Sequence, residues 1–174
     1  MNLDVLPVIV EKLQSCCVIG AYALAARGYV RQTTDFDLMT TDRRALDDST
    51  WKDFQDRGFR VDVRRGDADD PLAGVVRIVG SDTSIDIVVA RYKWQQQVID
   101  RSQPMKIGVS TLMIPTAADI ILLKLFAGGH ADVYDIYRIL EIGPRADLID
   151  NIDAAVRSLP DDIRQRWDDV RRTL

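Results

Sequence analysis

The chemistry available to this sequence begins with two aspartates one residue apart, Asp35 and Asp37. Residues i and i+2 of a strand share a face, so a strand here presents both carboxylates on one side and buries Phe36 on the other. Two close carboxylates repel each other and raise a pKa, and a bound divalent cation removes that repulsion. Mg²⁺ binds one or two carboxylates and keeps positions for phosphate oxygens and water. The spacing therefore predicts a Mg²⁺ or Mn²⁺ site.

A third carboxylate, Asp86, interrupts an apolar strand pattern between Ile85 and Ile87. If that strand lies beside the strand of Asp35 and Asp37, the three acids converge on one site. Two metal ions a few ångströms apart could then hold the attacking and leaving oxygens of an in-line displacement. An isolated Asp-x-Asp in an Asp-rich chain is also typical of a solvated turn, so the prediction depends on the other motifs.

One of those motifs is a glycine where a predicted strand, residues 16–19, meets a predicted helix, residues 21–27. Such a junction leaves backbone N–H groups free at the positive end of the helix dipole, which favours a bound phosphate. Gly20 and Ala21 are therefore candidate phosphate-binding residues.

Helices and strands must position these residues, and hydrophobic periodicity predicts where they lie. The first two thirds of the chain should contain both strands and helices, and the last third only helices. Strands are predicted at 16–19, 36–39, 59–63, 75–79, 85–89 and within 106–114, with a hairpin turn at 80–82. Helices are predicted at 3–14, 21–27, 47–57, 92–101, 117–127, 131–141, 146–158 and 161–172. We expect an α/β (α+β) fold in which helices flank a mixed sheet. Residues 1–115 would form the core, and residues 116–174 a C-terminal helical region packed on it.

Composition argues against several other classes of protein. A net charge of −4 and a pI of about 5.0 do not suit a general nucleic-acid coat. One histidine, His130, and two adjacent cysteines are too few ligands for a zinc site. We expect His130 to end a helix, where the dipole suits its charge. No apolar run reaches the ~20 residues of a membrane span, and the N-terminus lacks a secretory pattern, so we expect a cytoplasmic protein.

Together these motifs resemble the nucleotidyltransferase superfamily of the polymerase-β-like fold. The resemblance extends from Val18 to Leu140 and consists of the glycine turn, the Asp-x-Asp and the later strand carboxylate. Within the superfamily, the stretch Arg31-Gln-Thr-Thr-Asp-Phe-Asp37 is similar to the signature of AbiEii-type nucleotidyltransferases. The stretches around Lys124 and from Ala131 to Asp135 resemble the lysine-containing and aspartate-containing helices of that group.

The resemblance implies an enzyme that transfers a nucleoside monophosphate from an NTP, such as ATP, to an acceptor hydroxyl. It implies that residues 1–115 are the nucleotidyltransferase core and that Mg²⁺ or Mn²⁺ is the cofactor. The implied catalytic and metal-binding residues are Asp35, Asp37 and Asp86. The implied nucleotide-binding residues are Gly20, Ala21, Arg31, Thr33 and Lys124, supported by Asp132 and Asp135. From the residues alone, Arg31 could instead pair with an aspartate, and Lys124 could be a surface lysine.

Three functions stay open at this point. The first is a toxin-like enzyme of a toxin–antitoxin or phage-defence system, which modifies tRNA or other RNA and has a cognate antitoxin protein as partner. The second is a small-molecule transferase of the antibiotic-modifying type. The third is a catalytically degenerate module that binds a nucleotide or a partner. Ala21, which replaces a glycine or serine, favours the third, whereas retention of the three carboxylates and Lys124 argues against it. A second departure, Ala131 in place of a basic residue, points like Ala21 to weak or altered activity. The family-like helix motif favours the first function over the second.

Overall fold

The computed structural model describes residues 4–107 and 110–174. The helices and strands follow one another in the order α1 (Leu6–Lys12), β1 (Cys16–Val18), α2 (Gly20–Ala26), β2 (Phe36–Thr40), α3 (Lys52–Asp56), β3 (Arg60–Arg65), β4 (Gly74–Val79), β5 (Ser84–Val89), α4 (Lys93–Arg101), β6 (Gln103–Ile107), β7 (Ser110–Ile114), α5 (Ala117–Ala127), α6 (His130–Ile142), α7 (Arg145–Val156) and α8 (Asp161–Arg171). Strands therefore occupy the first two thirds of the chain, and the last third is helical.

Five strands form one mixed sheet in the order β1-β2-β5-β4-β3. The central pair, β2 and β5, is parallel, and the three other pairs are antiparallel. β4 and β5 form the hairpin that the turn at 80–82 predicted. Helices flank this sheet, and α5 to α8 follow as a helical C-terminal part, so the predicted fold class is confirmed.

Buried and partly exposed side chains alternate along the central strands, so one face of the sheet is buried and the other is more open. In β5, Ile85, Ile87 and Val89 are fully buried, whereas Asp86 is only partly buried. The buried face belongs to one hydrophobic core that continues into the C-terminal helices through residues such as Ile121 and Ile136. The open face is therefore the side on which charged groups can accumulate.

Side chains from distant elements fix both ends of α5. Arg27, which follows α2, donates hydrogen bonds to the carbonyls of Ile114 and Pro115 just before α5 begins. At the other end, Arg166 donates to the carbonyl oxygens of Leu125 and Phe126. These contacts hold α5 against α2 and α8, which sets the position of any functional side chain on α5.

Two predictions about helices were wrong. The predicted helix at 47–57 is instead a 3₁₀ turn, Asp48–Trp51, followed by the short α3, because Trp51 is buried and its indole N–H donates to the carbonyl of Ala45. His130 begins α6 instead of ending a helix, because Gly128 adopts a left-handed conformation that ends α5 two residues earlier. The dipole argument for a charged His130 therefore does not apply.

Parts of two other predicted elements lie outside the described residues: Leu3 of the first helix and the pair Gly108 and Val109 within 106–114. The described residues on either side of that pair form a two-stranded antiparallel sheet, β6 and β7. Across 4–107 and 110–174, no helix has both the length and the apolar character that a membrane crossing requires. The division of the chain at residue 115 stays a prediction.

Candidate active site

The open face of the sheet brings the three predicted carboxylates together. Asp37 of β2 lies directly opposite Asp86 of β5, because the parallel register pairs Phe36 with Ile85 and then these two aspartates. Asp35 lies just before β2, and one of its carboxylate oxygens accepts a hydrogen bond of 2.5 Å from the hydroxyl of Ser84. Ser84 precedes Asp86 by two residues on β5, so all three acids occupy the same side of the β2–β5 pair.

Asp35 is further oriented by the two threonines before it. Thr34 donates a hydrogen bond to the second carboxylate oxygen of Asp35 at 3.1 Å. The Thr33 hydroxyl donates to the backbone carbonyl of Asp35 at 3.0 Å and accepts from its backbone N–H at 3.3 Å. Thr33, which was predicted to bind nucleotide, therefore shapes the turn that leads into the carboxylates.

Gly20 lies against the side chain of Asp37. Its φ of +63° is in the left-handed region, and a Cβ atom added there would lie 2.0 Å from Oδ2 of Asp37. The backbone N–H of the preceding residue, Ile19, also donates to the carbonyl of Asp37 at 2.9 Å. The chain thus requires glycine at position 20 both for its backbone angle and for the space that Asp37 occupies.

Ala21, the other predicted phosphate-binding residue, has its side chain in the core, where it is 3% exposed. It is the second residue of α2, a helix of only seven residues. Ala21 therefore offers the site nothing except its backbone, and alanine suits a position that faces the core.

Lys124 lies in a buried cluster of charges formed by α5, α6 and the loop after α2. Its ammonium nitrogen is 2.7 Å from a carboxylate oxygen of Asp132 and 2.7 Å from one of Asp135. The Lys124 side chain is 11% exposed and that of Asp135 is 2% exposed, so Lys124 is not a surface lysine. Arg31 also approaches this cluster, with its Nε atom 3.5 Å from Asp135, as its alternative interpretation as an ion-pairing residue predicted.

A cavity of about 140 Å³ joins the glycine turn to this lysine. It is lined by Gly20, Ala23, Lys124 and Asp132, together with apolar side chains of α5. The predicted phosphate-binding turn and the predicted phosphate-binding lysine therefore face the same space, although they are about a hundred residues apart in the sequence.

The electrostatics of the carboxylates point to a missing positive charge. The pKa of Asp37 is raised from 3.8 to about 6, first by burial and then by the charges of Asp86 and Asp35. Lys124 and Arg31 lower it, but their effect is smaller. A divalent cation would supply the compensating charge, and a set of donors made only of carboxylates suits a hard ion such as Mg²⁺.

Sequence reasoning missed Arg77 of β4, which lies opposite Asp86 in the antiparallel β4–β5 pair. Its Nε donates to one oxygen of Asp86 at 2.7 Å and its Nη2 to the other at 2.5 Å. The predicted turn at 80–82 would have paired Asp86 with Val76; the connection is instead residues 80–83, and this one-residue shift places Arg77 opposite Asp86. Asp35, Asp37 and Asp86 share one side of the β2–β5 pair, but within the described ranges no three aspartate, glutamate, histidine or cysteine side chains are arranged to hold a metal ion, and Asp86 is held by Arg77 instead.

Solved structures match most of the chain. The antibiotic-resistance factor ANT(2'')-Ia aligns with a TM-score of 0.55 and 17% identity over 88% of each chain. A second structure, ANT(2'')-Ia in complex with adenylyl-2''-tobramycin, aligns with a TM-score of 0.54 and 18% identity over 88% of this chain and 93% of that chain. A Thermotoga maritima protein described as a nucleotidyltransferase aligns with a TM-score of 0.52 and 14% identity over 80% of this chain and 92% of that chain. No family model and no curated protein matches the sequence.

At these identities the alignments establish a shared fold and leave the reaction and the AbiEii subgroup as predictions. The matched structures are nearly as long as this chain, so the likeness concerns the whole arrangement of sheet and helices. The five-stranded mixed sheet, its helices and these alignments show that the chain has the nucleotidyltransferase fold.

Proposed function

We propose that the protein is a metal-dependent nucleotidyltransferase, which transfers a nucleoside monophosphate from an NTP to an acceptor hydroxyl. The observation that carries this proposal is the convergence of Asp35, Asp37 and Asp86 beside the cavity shared by Gly20 and Lys124. In the reaction, the acceptor oxygen bonds to the α-phosphorus, the bond from that phosphorus to the bridging oxygen breaks, and pyrophosphate leaves. The acceptor proton passes to a carboxylate.

Asp35 and Asp37 are the residues that would hold Mg²⁺ or Mn²⁺, since their carboxylates lie on the same side of the sheet and the charge of Asp37 is not fully compensated by its neighbours. The ion supplies charge neutralisation and polarisation at the phosphates. Asp86 faces the same side and would complete the metal site or accept the proton of the acceptor hydroxyl. Most of the rate enhancement then comes from positioning and electrostatics, as in phosphoryl transfer generally.

Lys124 would neutralise the triphosphate from the opposite wall of the cavity. Asp132 and Asp135 hold its ammonium group in place, and their burial means that the lysine is positioned before the nucleotide arrives. Arg31 adds a second positive charge beside this cluster. The backbone N–H groups of Gly20 and Ala21 are the remaining candidate phosphate donors.

RNA, and tRNA in particular, is our proposed acceptor, which makes the protein a toxin-like enzyme with a cognate antitoxin as partner. Support comes from the sequence resemblance, and a groove of about 290 Å³ on the β3–β4 side of Asp86, whose lining includes Arg64, Arg65 and Arg77, would receive the acceptor. A small-molecule transferase is the second candidate, because a structure of the same fold was solved with adenylyl-2''-tobramycin. The groove is also lined by Asp62 and Asp70, and each of its arginines contacts an aspartate, so its charge does not choose between the two acceptors and the preference for RNA rests on the sequence resemblance.

The test is incorporation of label from α-labelled NTPs into total RNA or into aminoglycosides by the purified protein with Mg²⁺. We expect labelled RNA from the parent and none from Asp37→Asn. The matched control is Asp62→Asn, because Asp62 lies on the same sheet face, two strands beyond Asp86 in the same cross-strand row. Labelled aminoglycoside without labelled RNA would select the second candidate. Absence of NTP binding and of transfer in the parent would select the degenerate module.

A further inference from the structure

The Arg77–Asp86 pair conflicts with the role proposed for Asp86. A carboxylate that takes a proton from the acceptor hydroxyl needs a free oxygen beside it. Both oxygens of Asp86 instead accept hydrogen bonds from the Arg77 guanidinium. Asp86 is 15% exposed in its side chain, so the arginine covers much of the access that remains. The proposed reaction therefore requires this pair to open.

The surroundings of Arg77 indicate what could open it. Its side chain is 53% exposed and lines the groove of about 290 Å³ that also contains Arg64 and Arg65. Arginine carries five N–H donors, and the contact with Asp86 uses two nitrogens on one edge of the guanidinium. Arg77 lies on the β4 side of Asp86, whereas Asp37 and Gly20 lie on its β2 side, so an acceptor that approached Asp86 from the groove would meet Arg77 first.

We infer that Arg77 determines acceptor specificity by withholding Asp86 until an acceptor with a phosphate group next to its hydroxyl binds. The phosphate takes over the guanidinium of Arg77, and Asp86 is released at the position where the hydroxyl arrives. This inference rests on the proposed function. The bonds that form and break are those of the proposed transfer: the hydroxyl oxygen bonds to the α-phosphorus, pyrophosphate leaves, and the proton goes to Asp86.

Water lacks the phosphate group and does not release Asp86, so the pair also protects the NTP from hydrolysis. Hydrolysis to nucleoside monophosphate and pyrophosphate is therefore the first measurement. In Arg77→Met, which keeps an unbranched apolar chain, we expect acceptor-independent hydrolysis to rise about two- to fivefold, the range for losing a partly exposed ion pair. Arg77→Lys should restore part of the suppression, and the double variant Arg77→Met, Asp86→Asn should lose the rise.

The matched control is Arg60→Met. Arg60 of β3 lies two residues from Asp62, which is paired with Arg77, so Arg60 shares the sheet face of Arg77 but does not line the groove. Its replacement should leave acceptor-independent hydrolysis at the parent rate. An equal rise in Arg60→Met would mean that general loss of positive charge causes the effect, and would overturn the inference.

Acceptor choice gives the second measurement. The dinucleotide CpA and the nucleoside adenosine end in the same ribose, but only CpA carries a phosphate beside it. We expect the parent to prefer CpA and Arg77→Met to lose most of that preference, while the melting temperature with Mg²⁺ and NTP stays close to that of the parent. A preference that survives in Arg77→Met would overturn the inference.

Metal binding can be measured without any enzymatic reaction, so it tests this inference separately from the proposed function. Mn²⁺ binding by the apo protein, followed by electron paramagnetic resonance, should be about two- to fivefold tighter in Arg77→Met, because Asp86 gains free oxygens. Asp86→Asn in the same background should remove that gain. If no NTP turnover is found but Mn²⁺ binding changes in this way, the proposed function fails while the shielding of Asp86 stands. Unchanged Mn²⁺ binding would refute the shielding itself.

Discussion

Replacing Gly20 by alanine should impair metal and nucleotide binding far more than it impairs folding. The new Cβ would lie 2.0 Å from Oδ2 of Asp37, well inside van der Waals contact. That oxygen is the far end of a side chain, so the Asp37 carboxylate can rotate away, and the remaining contact, 3.1 Å to Cβ of Asp37, needs a backbone shift of only a few tenths of an ångström. Rotation moves the Asp37 carboxylate away from Asp35 and Asp86, while the hydrophobic core stays intact.

The stability cost should then be mainly that of the backbone conformation. A non-glycine residue in the left-handed region costs about 1–2 kcal/mol. For a chain of this length, 1 kcal/mol lowers the melting temperature by about 2–4 °C, so we expect a decrease of about 2–8 °C. Gly58→Ala is the matched control, because Gly58 also has a positive φ, +87°, but a Cβ there meets nothing within 4 Å.

The assay compares the two variants by thermal unfolding with and without Mn²⁺ and NTP. Both should unfold at similarly lowered temperatures without ligand. Gly58→Ala should keep the stabilisation that ligands of the native state give by mass action, and Gly20→Ala should lose most of it. Two results would refute the reasoning: a ligand response in Gly20→Ala equal to that in Gly58→Ala, or a collapse of the fold in Gly20→Ala alone.

Three further predictions follow from the charges of the site. Mg²⁺ with an NTP should raise the melting temperature of the parent, and the double variant Asp35→Asn, Asp37→Asn should not respond; an equal rise in both would remove the metal site. Because the folded pKa of Asp37, about 6, exceeds its ordinary value of 3.8, stability should fall as pH rises from about 4 to 6. Above pH 6, Asp37→Asn should therefore unfold at higher urea than the parent, with a free energy of unfolding larger by about 3 kcal/mol, and a difference independent of pH would contradict this. Lys124→Met should lower the free energy of unfolding by about 3 kcal/mol, because it leaves the buried Asp135 without its lysine. Adding Asp135→Asn should restore this stability but not the affinity for nucleotide. Restored affinity in the double variant would exclude a phosphate contact by Lys124.

The local part of the site could be predicted from the sequence because it depends on strand periodicity and one hairpin. The pattern around Asp86 and the turn at 80–82 determine β5, its pairing with β4 and the side on which the carboxylate emerges. The adjacency of β2 and β5 is non-local, and the resemblance to a known family supplied it. The exact register could not be predicted, because the connection between β4 and β5 is residues 80–83 and not the predicted 80–82, and this shift creates the Arg77–Asp86 pair.

The charge cluster around Lys124 could not be predicted in the same way. Asp132 and Asp135 lie on the next helix, and their approach to Lys124 depends on how the left-handed Gly128 turns α6 back along α5. Arg31 comes from a loop about a hundred residues away, and sequence alone could not choose among its aspartate partners. The failed helix at 47–57 has a similar cause, since burial of Trp51 in the core decided the backbone there.

Asp37 offers the strongest physical argument against a purely structural protein. Burial and two neighbouring acids raise its pKa, so its charged form lowers the stability of the fold near neutral pH. Gly20 accommodates that same side chain by adopting a backbone angle that most residues avoid. Neither the charge of Asp37 nor the close approach of Gly20 strengthens a core or a solvated turn. Both are explained if a divalent cation completes the site, because the cation would compensate the charge of Asp37 while Gly20 leaves room for its carboxylate.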